Sequence, residues 1–318
     1  MQNKFALILI LILAVLIAGC NQEMQRGEQE AQKIKLRIGI LPIEDSLPIV
    51  VAKNEGIFEK YGLDVEVIKF QSAFERDTAL IVKEIDAAIT DPIAVILLSK
   101  NYKIKIVSLC LGKNPDEGVF AILASPNSSI TSIEDLNGKT IAISSNTIIE
   151  YVTDKLLNHY NIKAEKVDVK QIPLRLQMLL DDKVDAATLP EPLASFAVYK
   201  GAKLIVSDAM LNRSVSQTVI VFRDGYIVEN ENERVVENFL NAYNEAVDKI
   251  NSDPSKYRDL FIEIARIPKP IAQQYKMPKY PKAEMYPESY YNEVLEWVES
   301  KGLIQKSVRY EDVIYKPD

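Results

Sequence analysis

Strand-like and helix-like segments alternate along most of this sequence, and this alternation limits its fold more than any other feature. β-Rich segments such as KLRIGILP (35–42) and LDVEVIKF (63–70) are separated by segments with helical periodicity, such as SNTIIEYVTDKLLNHY (145–160). Parallel strands joined by crossover helices produce this order, because a tight turn can join only antiparallel strands. From residue 231 onward the periodicity is helical alone. We therefore expect an α/β fold with open parallel or mixed sheets and flanking helices.

A short phrase occurs twice in the chain, as EIDAAITDP from Glu84 and as KVDAATLPEP from Lys183. Each copy predicts a helix end, a tight turn and a buried strand that finishes at a carboxylate, Asp91 or Glu191. Ligands of open α/β sheets bind outside the carboxyl ends of the strands, so the two acids are candidates for one shared site. The alternative for each acid alone is a helix N-cap or a solvated turn residue.

Length, charge and cysteine content narrow the class of protein further. The chain has 318 residues, and a single hydrophobic core seldom grows beyond roughly 250–300 residues, so two lobes are expected. It has 38 basic and 45 acidic residues and no basic run, which argues against nucleic acid as a partner. Cys110 lies in a buried-strand pattern and is predicted to be an inert core thiol. With His159 as the one histidine, no zinc site of the usual ligands is expected.

The N-terminal segment predicts export. An apolar run at 5–17 is too short to span a bilayer and ends in small residues, as secretion signals do. The ending LIAGC resembles the lipobox of bacterial lipoproteins, which implies cleavage before Cys20 and acylation of that residue. The alternative is an ordinary signal in which the cysteine is incidental. Residues 1–19 are thus predicted to be a signal peptide, and the polar segment 20–33 a lipidated tether.

Three segments carry a resemblance to one protein family: AKNEGIFEKYGLDVEVIKF (52–70), SIEDLNGKTIAI (132–143) and LLDDKVDAATLPEPLAS (179–195). Over roughly 34–253 the chain resembles the extracytoplasmic substrate-binding proteins of ABC importers. The branch that it resembles serves nitrate, alkanesulfonates, taurine and thiamine pyrimidine precursors. The resemblance implies a type II periplasmic-binding-protein fold, in which two α/β lobes are joined by two crossover strands and close on a ligand.

The same resemblance implies the lobe boundaries and the partners. Lobe one would comprise 34–125 plus 223–318, and lobe two 126–222. The crossings would lie near Ser125-Pro126 and Phe222-Arg223. The protein would be a monomer, held at the membrane by the lipid on Cys20, and would deliver a small molecule to the permease and ATPase subunits. Neither a cofactor nor a metal is implied, and no residue is expected to be catalytic.

The ligand-facing positions implied by the resemblance lie in loops at the ends of strands. They are Glu44, Asp45, Ser46, Gln71, Ser72, Phe74, Thr90, Asp91, Ser145, Asn146, Thr147, Glu191, Ser216 and Gln217. The SSNT sequence opens a helix, so its hydroxyls and free backbone N–H groups are predicted to form an anion seat. At LPEP this chain departs from the Trp-Asp-Pro that the family often has.

The charge of these loops predicts the class of ligand. Only Arg76 and Arg213 supply cations there, whereas the acids are several. Carboxylates in a closing cleft repel nitrate or a bare sulfonate, and burial strengthens the repulsion. We expect a ligand with hydrogen-bond donors or positive charge, such as an aminopyrimidine, an amine or a zwitterion whose acidic end would lie at the SSNT helix start.

Other functions stay open at this point. A sulfonate-, taurine- or nitrate-binding protein of the same class is the first alternative. Enzymes share this fold by resemblance, but a pyrimidine-precursor synthase needs a site histidine and a Cys-rich motif that this chain lacks. A hydrolase that uses Asp91 and Glu191 as acid and base remains possible in principle. A structural or adhesive lipoprotein is the third class. The Tyr-rich stretch from Tyr275 to Tyr291 is predicted to pack under a loop, or alternatively to face the permease.

Overall fold

The computed structural model describes residues 33–230 and 234–316. The predicted signal peptide, Cys20 and almost all of the tether lie outside these residues. None of the helices within the described ranges is long and apolar enough to cross a membrane.

Ten strands in the described residues form two five-stranded sheets. The strands are β1 (Ile34–Ile40), β2 (Leu63–Lys69), β3 (Ala87–Thr90), β4 (Ile104–Leu111), β5 (Phe120–Ala124), β6 (Thr140–Ile143), β7 (Glu165–Asp168), β8 (Ala186–Pro190), β9 (Lys203–Ser207) and β10 (Thr218–Arg223). The order is β2-β1-β3-β10-β4 in the first sheet and β7-β6-β8-β5-β9 in the second. We call the parts of the chain built on these sheets the first and the second lobe.

The helices flank the sheets and supply the crossovers. They are α1 (Leu47–Asn54), α2 (Ile57–Lys60), α3 (Ala73–Ile81), α4 (Pro92–Ser99), α5 (Ile148–His159), α6 (Ile172–Leu180), α7 (Leu193–Tyr199), α8 (Asp224–Glu229), α9 (Val235–Ser252), α10 (Arg258–Ile264), α11 (Glu288–Ser300) and α12 (Tyr310–Val313).

The two sheets share one topology. In the first, β1 is parallel to β2 and β3, and β10 is antiparallel to both β3 and β4. In the second, β6 is parallel to β7 and β8, and β5 is antiparallel to both β8 and β9. In each sheet the antiparallel strand is the first one after the chain crosses between the lobes, β5 in the second sheet and β10 in the first. This confirms the predicted α/β fold with two lobes and mixed sheets.

The positions of the two crossings correct the predicted boundaries. β5 pairs in the second sheet and β10 in the first, so the chain changes lobe within 112–119 and 208–217. The predicted crossings at 125/126 and 222/223 are each one strand too late. The error has a simple cause, since a central strand is apolar whichever sheet it joins, and its pattern does not name its neighbours.

The C-terminal helices pack on both lobes. α9 buries Phe239 against the first lobe, where its ring stacks on Phe58 with centroids 5.4 Å apart. Burying an aromatic side chain of this size contributes roughly 1.5–3 kcal/mol. α11 packs on α4, yet the Nε1 atom of its Trp297 donates to Asp154 on α5 of the second lobe, at 3.0 Å. Lys301, just after α11, donates to Glu150 on the same helix α5 at 2.7 Å. The C-terminal segment thus joins the two lobes as well as completing the first.

Candidate ligand-binding site

A cavity of about 120 Å³ lies between the two lobes, at the carboxyl ends of β3 and β8. Half of the residues predicted for the site line it: Glu44, Asp45, Thr90, Asp91, Glu191, Ser216 and Gln217. The first lobe supplies the turn after β1 and the end of β3, and the second lobe supplies the end of β8. The crossing segment 208–217 closes one side. Asp91 and Glu191 therefore open into one shared hollow.

Asp91 and Glu191 each combine a place in the cavity wall with a structural contact. The Oδ1 atom of Asp91 accepts a hydrogen bond from the backbone N–H of Ala94 at 3.0 Å, which caps α4. Glu191 Oε2 accepts from the backbone N–H of Ser195 at 3.1 Å. The capping role and the cavity position thus coexist. The second copy of the repeated phrase has one residue more before its acid, so Pro190 stands where Asp91 does in the first copy.

Glu44 is a buried acid of the cavity wall whose partners come from a distant segment of the chain. The hydroxyl of Tyr275 donates to its Oε1 atom, and the hydroxyl of Tyr280 donates to its backbone oxygen at 2.8 Å. Burial raises the pKa of Glu44 to about 8, against the hydrogen bond from Tyr275, which lowers it, while charge on Glu191 and Asp45 adds to the rise. Glu44 therefore keeps its proton to a higher pH than an ordinary glutamate does.

The neighbouring acids are shifted in the same direction. Burial raises the pKa of Asp45 to about 6, and hydrogen bonds from Ser46 and Thr218 oppose that rise. Burial also raises the pKa values of Asp91 and Glu191 above their ordinary values. Carboxyl groups respond in this way when they lose water and gain no compensating charge. The cavity is therefore a place where a cation would be stabilised by several acids at once.

Arg76 is the cation of the cavity wall, and its charge is already paired. Its Nη2 atom donates to Thr90 Oγ1 at 2.7 Å, and Nε and Nη2 both donate to Asp77, at 2.9 and 2.7 Å. The side chain is 3% exposed. The sequence singled out Arg76 as a cation in these loops but not as part of the wall, because its direction depends on how α3 packs.

The SSNT helix start does not provide the predicted anion seat. The backbone N–H of Ser145 donates to Asp168 at 2.9 Å, and that of Asn146 donates to Glu150 at 2.7 Å. Thr147 caps α5 by accepting from Ile149. Carboxylates of the chain itself thus accept from two of the backbone donors of the predicted seat. Ile148, the next residue, reaches the cavity instead.

The remaining predicted residues lie outside the cavity wall. The hydroxyl of Ser46 donates to the Leu41 carbonyl oxygen at 2.7 Å, and Ser72 caps α3. The Oε1 atom of Gln71 accepts from Arg266, and Phe74 is 80% exposed. None of these four residues is part of the cavity wall.

Sequence reasoning missed the apolar part of the wall and the tyrosines behind it. The apolar wall consists of Ile43, Ile89, Leu111, Val119, Phe120, Ile148 and Pro190. Nothing in an apolar strand end distinguishes a ligand contact from a core contact. Tyr275 and Tyr280 belong to the Tyr-rich stretch, whose density of aromatic residues was the available signal.

Within residues 33–230 and 234–316, no group of three or more His, Cys, Asp and Glu side chains is arranged to hold a metal ion. Cys110 is fully buried, as predicted, and burial raises the pKa of its thiol well above the ordinary value.

Comparisons with known proteins agree with this geometry. A model of the NlpA lipoprotein family matches residues 36–265. The chain is 26% identical over 264 residues to a Brachyspira hyodysenteriae protein named "Putative ABC transporter periplasmic binding protein", covering 78% of this chain and 74% of that one.

Solved structures show the same fold. The periplasmic aliphatic sulphonate binding protein SsuA of Escherichia coli has a TM-score of 0.76 at 19% identity, covering 89% of this chain and 97% of that chain. The alkanesulfonate-binding protein SsuA of Xanthomonas axonopodis pv. citri, bound to MOPS, has a TM-score of 0.73 at 16% identity, covering 90% and 99%. The fold is that of the periplasmic binding proteins, and by its sequence the chain belongs to the NlpA lipoprotein family.

Proposed function

We propose that this protein is the extracytoplasmic solute-binding component of an ABC importer. It would capture a small polar molecule between its lobes and deliver it to the permease and ATPase subunits. The observation that carries the proposal is that Glu44 and Asp91 from one lobe and Glu191 from the other line a single cavity. A ligand that touches both lobes binds the closed form better and shifts the equilibrium toward it by that difference in affinity.

The charge of the cavity favours a ligand that is cationic or rich in hydrogen-bond donors. The acids of the wall outnumber Arg76, and Arg76 is already paired with Asp77. An amine, an aminopyrimidine or a zwitterion fits this surplus of acceptors. The backbone N–H groups of Ser145 and Asn146 already donate to Asp168 and Glu150, so the acidic end of a zwitterion would lie near Arg76.

The size of the cavity favours a compact ligand. Small-molecule pockets usually measure roughly 300–1,000 Å³, whereas this one measures about 120 Å³. A larger ligand would hold the lobes further apart than they are here. We therefore expect ligands of few non-hydrogen atoms to fit the present arrangement.

Mass spectrometry of small molecules that co-purify with the full-length protein tests this proposal. Calorimetry should then compare amines, aminopyrimidines and zwitterions with taurine and nitrate in two buffers of different ionisation enthalpy. A cation should bind with release of protons, because it ionises acids that hold protons in the empty cavity. Tight binding of taurine or nitrate, without binding of any amine or pyrimidine, would contradict the proposed ligand class.

A hydrolase is the second candidate, because Asp91 and Glu191 share the cavity and both have raised pKa values. Two acids in such a setting can serve as general acid and base. The two functions are distinguished by recovery of the ligand. A binding protein returns its ligand unchanged after denaturation, whereas a hydrolase returns products.

We further propose that a lipid on Cys20 anchors the protein to the outer face of the cell membrane or in the periplasm. The LIAGC sequence supports this, as does membership of a lipoprotein family. Two or more acyl chains anchor a protein far more firmly than one. The polar residues 20–33 would then connect the anchor to β1.

A further inference from the structure

We propose that Tyr275 is a positioning residue of the cavity: its hydroxyl group holds the carboxyl groups of Glu44 and Glu191 together across the lobes and so favours their closed arrangement. This inference rests on the proposed binding function, but its test requires no ligand.

Tyr275 reaches the site from the segment between α10 and α11. Its hydroxyl donates to Glu44 Oε1, and its ring stacks on Phe261 of α10 with centroids 6.2 Å apart and an interplanar angle of 24°. The stacking fixes the ring from behind, so the hydroxyl is directed at the acids. Tyr275 itself stands outside the cavity wall, whereas both acids are part of it. It therefore acts on a ligand through the carboxyl groups.

The second acid is also within reach of the hydroxyl. Burial raises the pKa of Glu191, the hydrogen bond from Ser195 opposes the rise, and the nearby Tyr275 hydroxyl lowers the pKa as well. Burial likewise raises the pKa of Tyr275, and negative charge on Glu44 and Glu191 raises it further. The hydroxyl thus lies beside one acid from each lobe.

Tyr275, Glu44 and Glu191, here called the triad, are surrounded mostly by acidic groups. Glu44 faces Asp45 on its own turn and Tyr280 beside Tyr275, and Glu191 faces Asp208 from the segment after β9. The guanidinium of Arg76 lowers the pKa values of Asp45 and Asp91 instead. The two acids of the triad therefore lie among groups that add to their mutual repulsion.

A phenol hydroxyl has one proton to donate and can also accept a hydrogen bond. It can bridge the two carboxyl groups when one of them carries a proton: a protonated Glu44 donates to the phenol oxygen, and the phenol proton is then donated to Glu191 instead of to Glu44. When both are ionised, like charges on opposite lobes repel. Closure without ligand should therefore persist while one acid is protonated and weaken as the pH rises past that point.

Electron spin labelling measures this directly on the full-length chain. Labels on Val82→Cys and Tyr199→Cys, both exposed, report the distance between the first and the second lobe. The closed fraction of the otherwise unaltered protein should fall as the pH is raised through about 8, the pKa of Glu44. Tyr275→Phe should lower the closed-to-open ratio on the order of tenfold below that pH, since it removes a hydrogen bond to an acid. It should also flatten the pH profile.

Tyr286→Phe is the matched control. Tyr286 lies in the same segment and is fully buried, and its hydroxyl has no hydrogen-bond partner among the described residues. The Tyr286→Phe variant loses a hydroxyl oxygen, as Tyr275→Phe does. Its closed fraction should depend on pH as that of the unaltered protein does. Glu191→Gln, in which the amide donates at every pH, should leave the lobes closed without pH dependence.

Equal profiles for Tyr275→Phe and Tyr286→Phe would overturn the inference. A Glu191→Gln variant whose closed fraction depends on pH as that of the unaltered protein does would also overturn the inference. If Tyr275→Phe does not fold, Glu191→Gln alone provides the test. Absence of any small-molecule ligand would refute the proposed function but leave these distance measurements unchanged. The two failures are therefore distinguishable.

Discussion

Asp86 and Asp185 make the same contact in different sheets. Asp86 accepts a hydrogen bond from the backbone N–H of Arg37 on β1 at 3.0 Å, and Asp185 accepts one from Thr140 on β6 at 2.9 Å. Each aspartate opens the Asp-Ala-Ala phrase and fastens its strand to the neighbouring parallel strand. The repeated phrase is therefore a structural repeat, and the same strands carry Asp91 and Glu191 to the cavity.

The two aspartates should differ in their contribution to stability. Asp86 is 3% exposed and pairs with both Arg37 and Arg223, whereas Asp185 accepts from Thr140 alone among its side-chain partners. Breaking a buried ion pair costs about 3 kcal/mol, whereas the amide oxygen in Asp185→Asn can still accept from Thr140 and loses only the charge-assisted part of the bond, about 1 kcal/mol. We expect Asp86→Asn to reduce the free energy of unfolding more than Asp185→Asn in urea titrations. Equal losses would show that the arginines contribute little.

The two roles of Asp91 can be separated by a pair of substitutions. Asn is as good a helix N-cap as Asp, whereas Ala at this position costs about 1 kcal/mol. Asp91→Asn should therefore retain the thermal stability that Asp91→Ala loses. Both should weaken binding of a cationic ligand in calorimetry by about tenfold or more, because each removes a charge from the cavity. If Asp91→Asn binds such a ligand as tightly as the unaltered protein, Asp91 is a cap alone.

Because of Glu44, the free energy of unfolding of the ligand-free protein should fall as the pH rises. The pKa of Glu44 is about 8 in the fold and 4.5 in the unfolded chain, so between these values the folded state holds a proton that the unfolded state has lost. The free energy of unfolding then falls with rising pH, by at most about 1.4 kcal/mol per pH unit from this group. The contribution of Glu44 to stability is fully present below pH 4.5, the pKa in the unfolded chain, and is lost above about pH 8, the pKa in the fold. Glu44→Gln should flatten this part of the stability profile.

Urea titrations of the unaltered protein and Glu44→Gln at several pH values measure the difference. Asp45 contributes a similar slope at lower pH, since its pKa is raised from 3.8 to about 6, and it remains in both proteins. Parallel profiles across the whole range would mean that Glu44 is ionised in the fold.

Removing the acceptor of the lipid should release the protein from membranes. Cys20→Ser leaves a chain without the predicted acylation site. Fractionation of cells should place the unaltered protein with the membranes and the variant in the soluble extract. Retention of the variant with the membranes would contradict a lipid anchor at Cys20.

The sequence predicted the sheets well and the crossings poorly, for a physical reason. The local composition and periodicity of segments such as KLRIGILP and the Asp-Ala-Ala phrases predict strands. The apolar strands β5 and β10 have the same local signature, but their hydrogen-bond partners lie far away in the chain. Val219, for instance, pairs with Thr90. The periodicity of a strand does not indicate which strands it pairs with.

By itself the sequence determined the α/β architecture, the two lobes and the acids at the ends of β3 and β8, because these follow from local patterns and from the geometry of parallel sheets. Only the tertiary structure decided which donors remain free. In the fold, the backbone N–H groups of Ser145 and Asn146 donate to Asp168 and Glu150. The tertiary structure also brought Tyr275 to Glu44 across 231 residues of chain. Burial and hydrogen-bond partners are set by contacts between distant segments, and local patterns do not specify those contacts.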